Sequence, residues 1–169
     1  GTTRVTVTDT GTVFAGTVTG ATSYNGIPFY SDAANNSMYT HNVSGTDDTA
    51  QYNTAYGFTA MDAITTGDQN TAVGYAAGGA ITTGTGNVSL GYRAGLTLTT
   101  GHNNVAIGNN ALLSEDGDGF NVAIGASALK DLNAGADAYN VAVGHAAGEN
   151  VTTGIKNTLI GGLAGDALD

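Results

Sequence analysis

Few residues in this chain could do chemistry, and they are scattered. Its three histidines are His41, His102 and His145, and neither His102 nor His145 has a nearby Ser and Asp arrangement at the spacing that nucleophilic catalysis needs. No P-loop or zinc motif is present, and a Gly-rich phosphate cradle would need a following helix. The absence of Cys removes both a disulfide framework and a thiolate metal site. No catalytic residue is assigned, and the chain reads as non-enzymatic. One acidic cluster stands out, Glu115-Asp116-Gly117-Asp118-Gly119. Oxygen-rich loops kinked by glycine suit Ca²⁺, so Glu115, Asp116 and Asp118 are the candidate metal ligands and Ca²⁺ is the one cofactor suggested. The distal Glu of an EF-hand loop is missing, and a solvated acidic loop is the plain alternative. Phe58, Tyr75 and Tyr92 recur at one constant interval. An exposed row of such rings could contact a glycan, using apolar area with a polar tip. The same rings could instead cover the joints between stacked segments of chain.

The elements that would position these residues come from an internal repeat. Seven copies of one short phrase begin at Asn53, Asn70, Asn87, Asn104, Asn121, Asn140 and Asn157, evenly stepped except for one longer interval before Asn140. The pattern is Asn, Thr or Val, a small residue, a large apolar residue, Gly, two variable residues, Ala, then often Gly or Leu. A fixed period of about 17 residues means stacked repeats. Positions 2 to 4 predict a short strand, with positions 2 and 4 on one side and the small position 3 on the other. Gly at position 5 predicts a tight corner. Ile64-Thr65-Thr66-Gly67 and its equivalents predict a second short strand ending in a turn. Each repeat is then one coil of two strands and two corners, and stacked coils make an elongated, all-β parallel solenoid or β-roll. Seven coils at about 4.8 Å per step span on the order of 30 Å. The seven asparagines would form a structural ladder along the rod, amide on amide, and Asn also simply suits a corner.

Residues 53–169 therefore form the repeat solenoid. Residues 1–19, with TTRVTVT, a turn at Asp9-Thr10-Gly11 and a second alternating stretch from Thr12 to Thr19 around Val13 and Val18, predict an N-terminal β-hairpin. Residues 20–52 read as a connector with weak strands, its one apolar cluster being Ile27, Pro28, Phe29 and Tyr30. The chain starts at Gly1 without Met, which reads as a fragment or a processed product.

Composition narrows the partners. The 169 residues carry a net charge of −10, with four Lys and Arg against 14 Asp and Glu. Nucleic acid requires Lys and Arg to displace counterions, so no nucleic-acid partner is expected. Anionic membrane surfaces are disfavoured for the same reason. No run of 18 apolar residues suggests membrane insertion. Each coil offers few apolar side chains against the entropy of ordering a whole repeat. Association of chains is expected to supply the difference, as a homotrimer burying the small position-3 face or the position-8 alanines. Thr pairs such as Thr82-Thr83 raise the thought of ice binding, but the row is broken in the fourth and fifth repeats.

The stretch NTAVGYAAGGAITTGTGNVSLGYRAGLTLTTG resembles the repeats of bacteriophage tail-fibre and related virion proteins. Such repeats often precede an endosialidase-type chaperone domain. RVTVTDTGTVFAG is similar to the module that precedes them. The N-x-A-I-G core also resembles the head repeats of trimeric autotransporter adhesins of the YadA type, whose repeat is typically shorter than this one. The resemblance implies a virion location, a homotrimeric β-roll, other fibre or tail proteins as partners, and attachment to a host cell-surface glycan. The alternative it implies is a bacterial surface adhesin or extracellular filament subunit at the cell surface. A carbohydrate-cleaving tailspike would need paired Asp or Glu facing a groove, and the repeats supply none at regular positions.

Overall fold

The computed structural model describes Ser23–Tyr24, Ile27–Pro28, Tyr30–Asp32, Ser37–Tyr39 and residues 49–166. The hairpin expected over residues 1–19 lies outside the described residues, as does His41. Every described element is a β-strand, and the repeats form a parallel β-solenoid.

Seven strands carry the repeat: β5 (Thr54–Tyr56), β6 (Thr71–Val73), β7 (Val88–Leu90), β8 (Val105–Ile107), β9 (Val122–Ile124), β10 (Val141–Val143) and β11 (Thr158–Ile160). Each pairs in parallel with its neighbour, position for position, Val88 beside Val105 beside Val122. Before them, β3 (Tyr30–Asp32) and β4 (Ser37–Tyr39) form an antiparallel pair whose second strand lies parallel to β5. These join the same nine-stranded sheet. A separate antiparallel pair, β1 (Ser23–Tyr24) and β2 (Ile27–Pro28), precedes it. The segment read as a connector thus lays β4 under the first coil, and the core continues into it through Tyr39 and Ala50.

Each coil holds one strand, not the two expected. The Thr-Thr-Gly stretch is not extended, because three successive N–H groups turn toward one carbonyl. Thr82, Thr83 and Gly84 all donate to the Thr99 carbonyl of the next coil, at 2.9, 3.2 and 3.2 Å. That convergence bends the chain into an arc. The position-13 hydroxyls donate to the same carbonyls, Thr82 Oγ1 to Thr99 O at 3.0 Å, so this Thr row is engaged within the fold.

Position 3 points into the coil. Ala55, Ala72, Ala106, Ala123 and Ala142 are fully buried within one chain, and so are the position-8 alanines Ala60, Ala77, Ala94, Ala111, Ala128 and Ala147. Neither set can form the contact between chains that the sequence reading assigned to them. The coil is narrow, so its two walls approach to within the reach of a methyl group, which is why these positions are small. The remaining space is filled from position 12, by Ile64, Ile81, Leu98, Leu132 and Val151, and from position 9 where that residue is Met61, Leu112 or Leu129.

Position 5 is Gly because the coils touch there. A Cβ on Gly91 would lie 2.6 Å from the Gly108 carbonyl oxygen, and its φ of +135° is one that side-chain-bearing residues rarely adopt. One glycine of this kind per coil lets the backbones stack at sheet spacing.

Candidate functional site

Three columns of side chains run along the solenoid, and the corners decide what each presents. The first is the asparagine ladder. The residue before each ladder asparagine is left-handed, from Tyr52 (φ +59°) through Phe120 (+62°) to Lys156 (+60°). This turn swings the asparagine inward, where Asn70, Asn87, Asn104 and Asn121 are fully buried. Each Oδ1 accepts the backbone N–H of the next asparagine: Asn87 N donates to Asn70 Oδ1 at 3.0 Å, and Asn104 N to Asn87 Oδ1 at 2.9 Å. In five coils Nδ2 closes its own coil, as Asn87 does on Gly101 O at 2.8 Å, whereas Asn121 Nδ2 turns back to Gly119 O at 3.3 Å. Amide-to-amide contacts occur at some steps only, such as Asn87 Nδ2 to Asn70 Oδ1 at 3.1 Å. The main rung is therefore side chain to backbone. Where the fifth coil has 19 residues, Asn140 N still reaches Asn121 Oδ1 at 3.1 Å, and the extra residues go to the outer loop.

The second column is aromatic. Phe58, Tyr75 and Tyr92 follow the position-5 corner and are exposed, Tyr75 at 54%. Tyr75 and Tyr92 stack on one another, centroids 5.5 Å apart and planes 14° apart. Each therefore gives one ring face to the other. Both residues stay about half exposed to solvent. A second aromatic run escapes the sequence reading. Phe120 and Tyr139 stack at 4.9 Å, and His102 meets Phe120 edge-on at 5.0 Å. His102 Nε2 lies 3.5 Å from Asp137 Oδ1. The signal was available: Phe120 and Tyr139 each immediately precede a ladder asparagine, so the repeat frame aligns them. His145 stands exposed at position 6 of its own coil.

The third column is the outward face of the sheet, positions 2 and 4. Val88, Val105, Val122 and Val141 run beside Leu90, Ile107, Ile124 and Val143, all partly or well exposed, Leu90 at 44%. Among the described residues nothing covers this aliphatic stripe.

The acidic cluster does not form the expected metal site. Asp116 is exposed, whereas Glu115 is fully buried and Asp118 is 8% exposed. The backbone carbonyl of Asp116 is taken by the N–H groups of Thr99, Thr100 and Gly101. Among the described residues no three His, Asp or Glu side chains converge as a metal would need. The reason is phase. Glu115 stands at position 12, where neighbouring coils place Leu98 and Leu132, so its side chain enters the core and separates from that of Asp116. Burial, with the charge of Asp118 adding to it, pushes the Glu115 carboxyl up to about 7 from an ordinary 4.5. Elsewhere Lys130 joins the fifth and sixth coils through Glu149 at 2.5 Å. That hydrogen bond, ahead of the charge of Asp131, raises the Lys130 ammonium above its usual range.

No helix among the described residues is long and apolar enough to cross a membrane. Compared with protein-family models, curated proteins and solved structures, the chain matches none of them. What its own geometry defines is a class: a repeat protein of the parallel β-solenoid kind.

Proposed function

We propose that the chain is a non-enzymatic structural and attachment segment of a fibre, most specifically a phage tail fibre, assembled as a homotrimer. The observation that carries this reading is the aliphatic stripe at positions 2 and 4. Val and Ile, Leu or Val repeat in register along one sheet face in coils three to six, with no cover from the other described residues. The stripe is aliphatic at both positions in coils three to six, with Thr54, Thr71 and Thr158 at position 2 of the others, and an apolar face repeating in register suits copies of the same rod packed side by side, because each coil then meets its equivalent. Burying it removes apolar area from water at roughly 25 cal/mol per Å². A net charge of −10 on the remaining surface keeps assembled fibres apart. In this reading the function is mechanical. The rod holds a host-binding tip at a distance, or presents side chains at a regular step for multivalent contact with a cell-surface glycan. Tyr75 and Tyr92, half-exposed, are the contact candidates, beside Phe58.

Mass photometry of the purified chain tests the assembly, with a trimer expected. Ile107→Asp with Ile124→Asp places charges on the stripe and should yield monomer. A wild-type chain that is a stable, folded monomer at micromolar concentration overturns the reading. Negative-stain images of intact phage particles decorated with antibody against the chain test the location, and label confined to bacterial surfaces selects an adhesin instead. Binding to host polysaccharide that survives Tyr75→Ala with Tyr92→Ala excludes those rings as the contact.

A further inference from the structure

Coil four carries a polar pair in a place where other coils carry hydrocarbon. Glu115 replaces the large apolar residue of position 12, and Asp118 replaces the glycine of position 15 (Gly84, Gly101). One carboxylate oxygen of Glu115, Oε1, accepts the Asp118 N–H at 3.1 Å. The other, Oε2, is buried without a partner, and so is Oδ2 of Asp118. A buried unpaired carboxylate oxygen is costly, and the charges of the two neighbouring carboxyl groups repel as well. One proton removes both penalties, because a protonated carboxyl donates where a carboxylate only accepts.

We propose that Glu115 and Asp118 form a proton-binding latch: a proton on Glu115 Oε2 is donated to Asp118 Oδ2, and its loss releases the loop that closes the fourth coil.

The surroundings leave the pair to itself. From the third coil the loop receives Thr97, whose hydroxyl donates to Glu115 O at 2.9 Å, and the Thr99, Thr100 and Gly101 amides on Asp116 O, none of them ionisable. From the fifth coil the Ala134 N–H hydrogen-bonds the Glu115 carboxyl, a smaller effect that opposes the burial, and Asp137 Oδ1 accepts the Gly119 N–H at 3.1 Å. His102 stands against that Asp137 on the outside, and Lys130 is engaged by Glu149 and Asp131. Asp116 on the same loop is exposed. Asp118 is the charged group that couples to Glu115.

The latch has a route to the rest of the coil. Asp118 O accepts Asn104 Nδ2 at 2.8 Å, so the pair holds a rung of the asparagine ladder. If repulsion displaces Asp118, Asn104 loses that acceptor. The sign follows from burial. The folded coil holds the Glu115 proton up to about 7, whereas the open loop releases it near 4.5. Closure is therefore fully stable below the lower value and weakens as pH rises through the upper one.

Hydrogen exchange by NMR on the intact chain tests this. Corrected for intrinsic rate, opening at the Asp118 and Asn104 amides should rise on the order of 50-fold from about pH 5 to about pH 8, with amides of coils two and six unchanged. Glu115→Gln, which keeps a donor facing Asp118, and Glu115→Leu, which restores the hydrocarbon of neighbouring coils, should both remove the rise. A carbon-13 titration of the wild-type Glu115 carboxyl is the arm that no folding failure of a variant can obscure. Titration in the ordinary carboxylate range, or pH-independent opening, overturns the proposal. So does protection of the loop by millimolar CaCl₂ that is absent in Glu115→Gln, which would make the pair a cation site.

Discussion

Replacing Asn87 with Ala is the most direct test of what holds one coil to the next. Asn87 sits mid-ladder and is fully buried. Its side chain accepts the Asn104 N–H at 2.9 Å and donates to Gly101 O at 2.8 Å and to Asn70 Oδ1 at 3.1 Å. Asn70 Oδ1 keeps the Asn87 backbone N–H as a donor after truncation. The Asn104 N–H and the Gly101 carbonyl lose their partners. Two buried polar groups left unpaired cost about 1–3 kcal/mol each, so the expected loss is roughly 2–6 kcal/mol. Asn157→Ala provides the contrast. It also removes a bond to the preceding amide, from Asn157 Nδ2 to Asn140 Oδ1, but that oxygen keeps the Asn157 N–H. Asn157 is only partly buried, and in the described residues no further coil stacks on its Oδ1. Its loss should stay near ~1 kcal/mol. Urea titration followed by circular dichroism reads both variants against wild type, with constant m-values required for the comparison. Equal losses at the two positions, or a loss below about 0.5 kcal/mol at Asn87, would refute the argument that the ladder works by satisfying backbone amides.

Gly91→Ala combines an unfavourable φ with a collision against the Gly108 carbonyl, and should cost roughly 3 kcal/mol or more. Gly135→Ala, at φ +71° with no atom within 4 Å of the added methyl, should cost about 1–2 kcal/mol. Parallel melts of the two separate coil contact from backbone conformation, and indistinguishable curves would count against close stacking at position 5. Leu98→Ala empties the fully buried position 12 of coil three, with an expected loss of about 2–5 kcal/mol by the same denaturant assay.

Much of the architecture was legible in the sequence, and the limits of that legibility have physical causes. The constant step of the repeat determines parallel stacking in register, because like positions that recur at one interval can satisfy one another only as columns. Invariant Asn and Gly mark the corners for the same reason, each residue type meeting a need that recurs in every coil. The strand at positions 2 to 4 follows from period-two alternation. What alternation leaves undecided is which side is inside. Small residues at position 3 fit equally well against another chain or against the far wall of their own coil, and only the closed path of the backbone makes the second choice. The Thr-Thr-Gly arc is another such case. Its composition suits a strand, but it is shaped by three amides converging on one carbonyl from the next coil, a contact one full repeat away. Glu115, Asp116 and Asp118 look like one cluster along the chain. Tertiary phase divides them, since position 12 of a narrow coil must point inward while its neighbour points out. The sequence by itself thus determined the repeat, its register and its corner residues. The closure of each coil decided which faces are core, which are surface, and where two carboxyl groups meet without water.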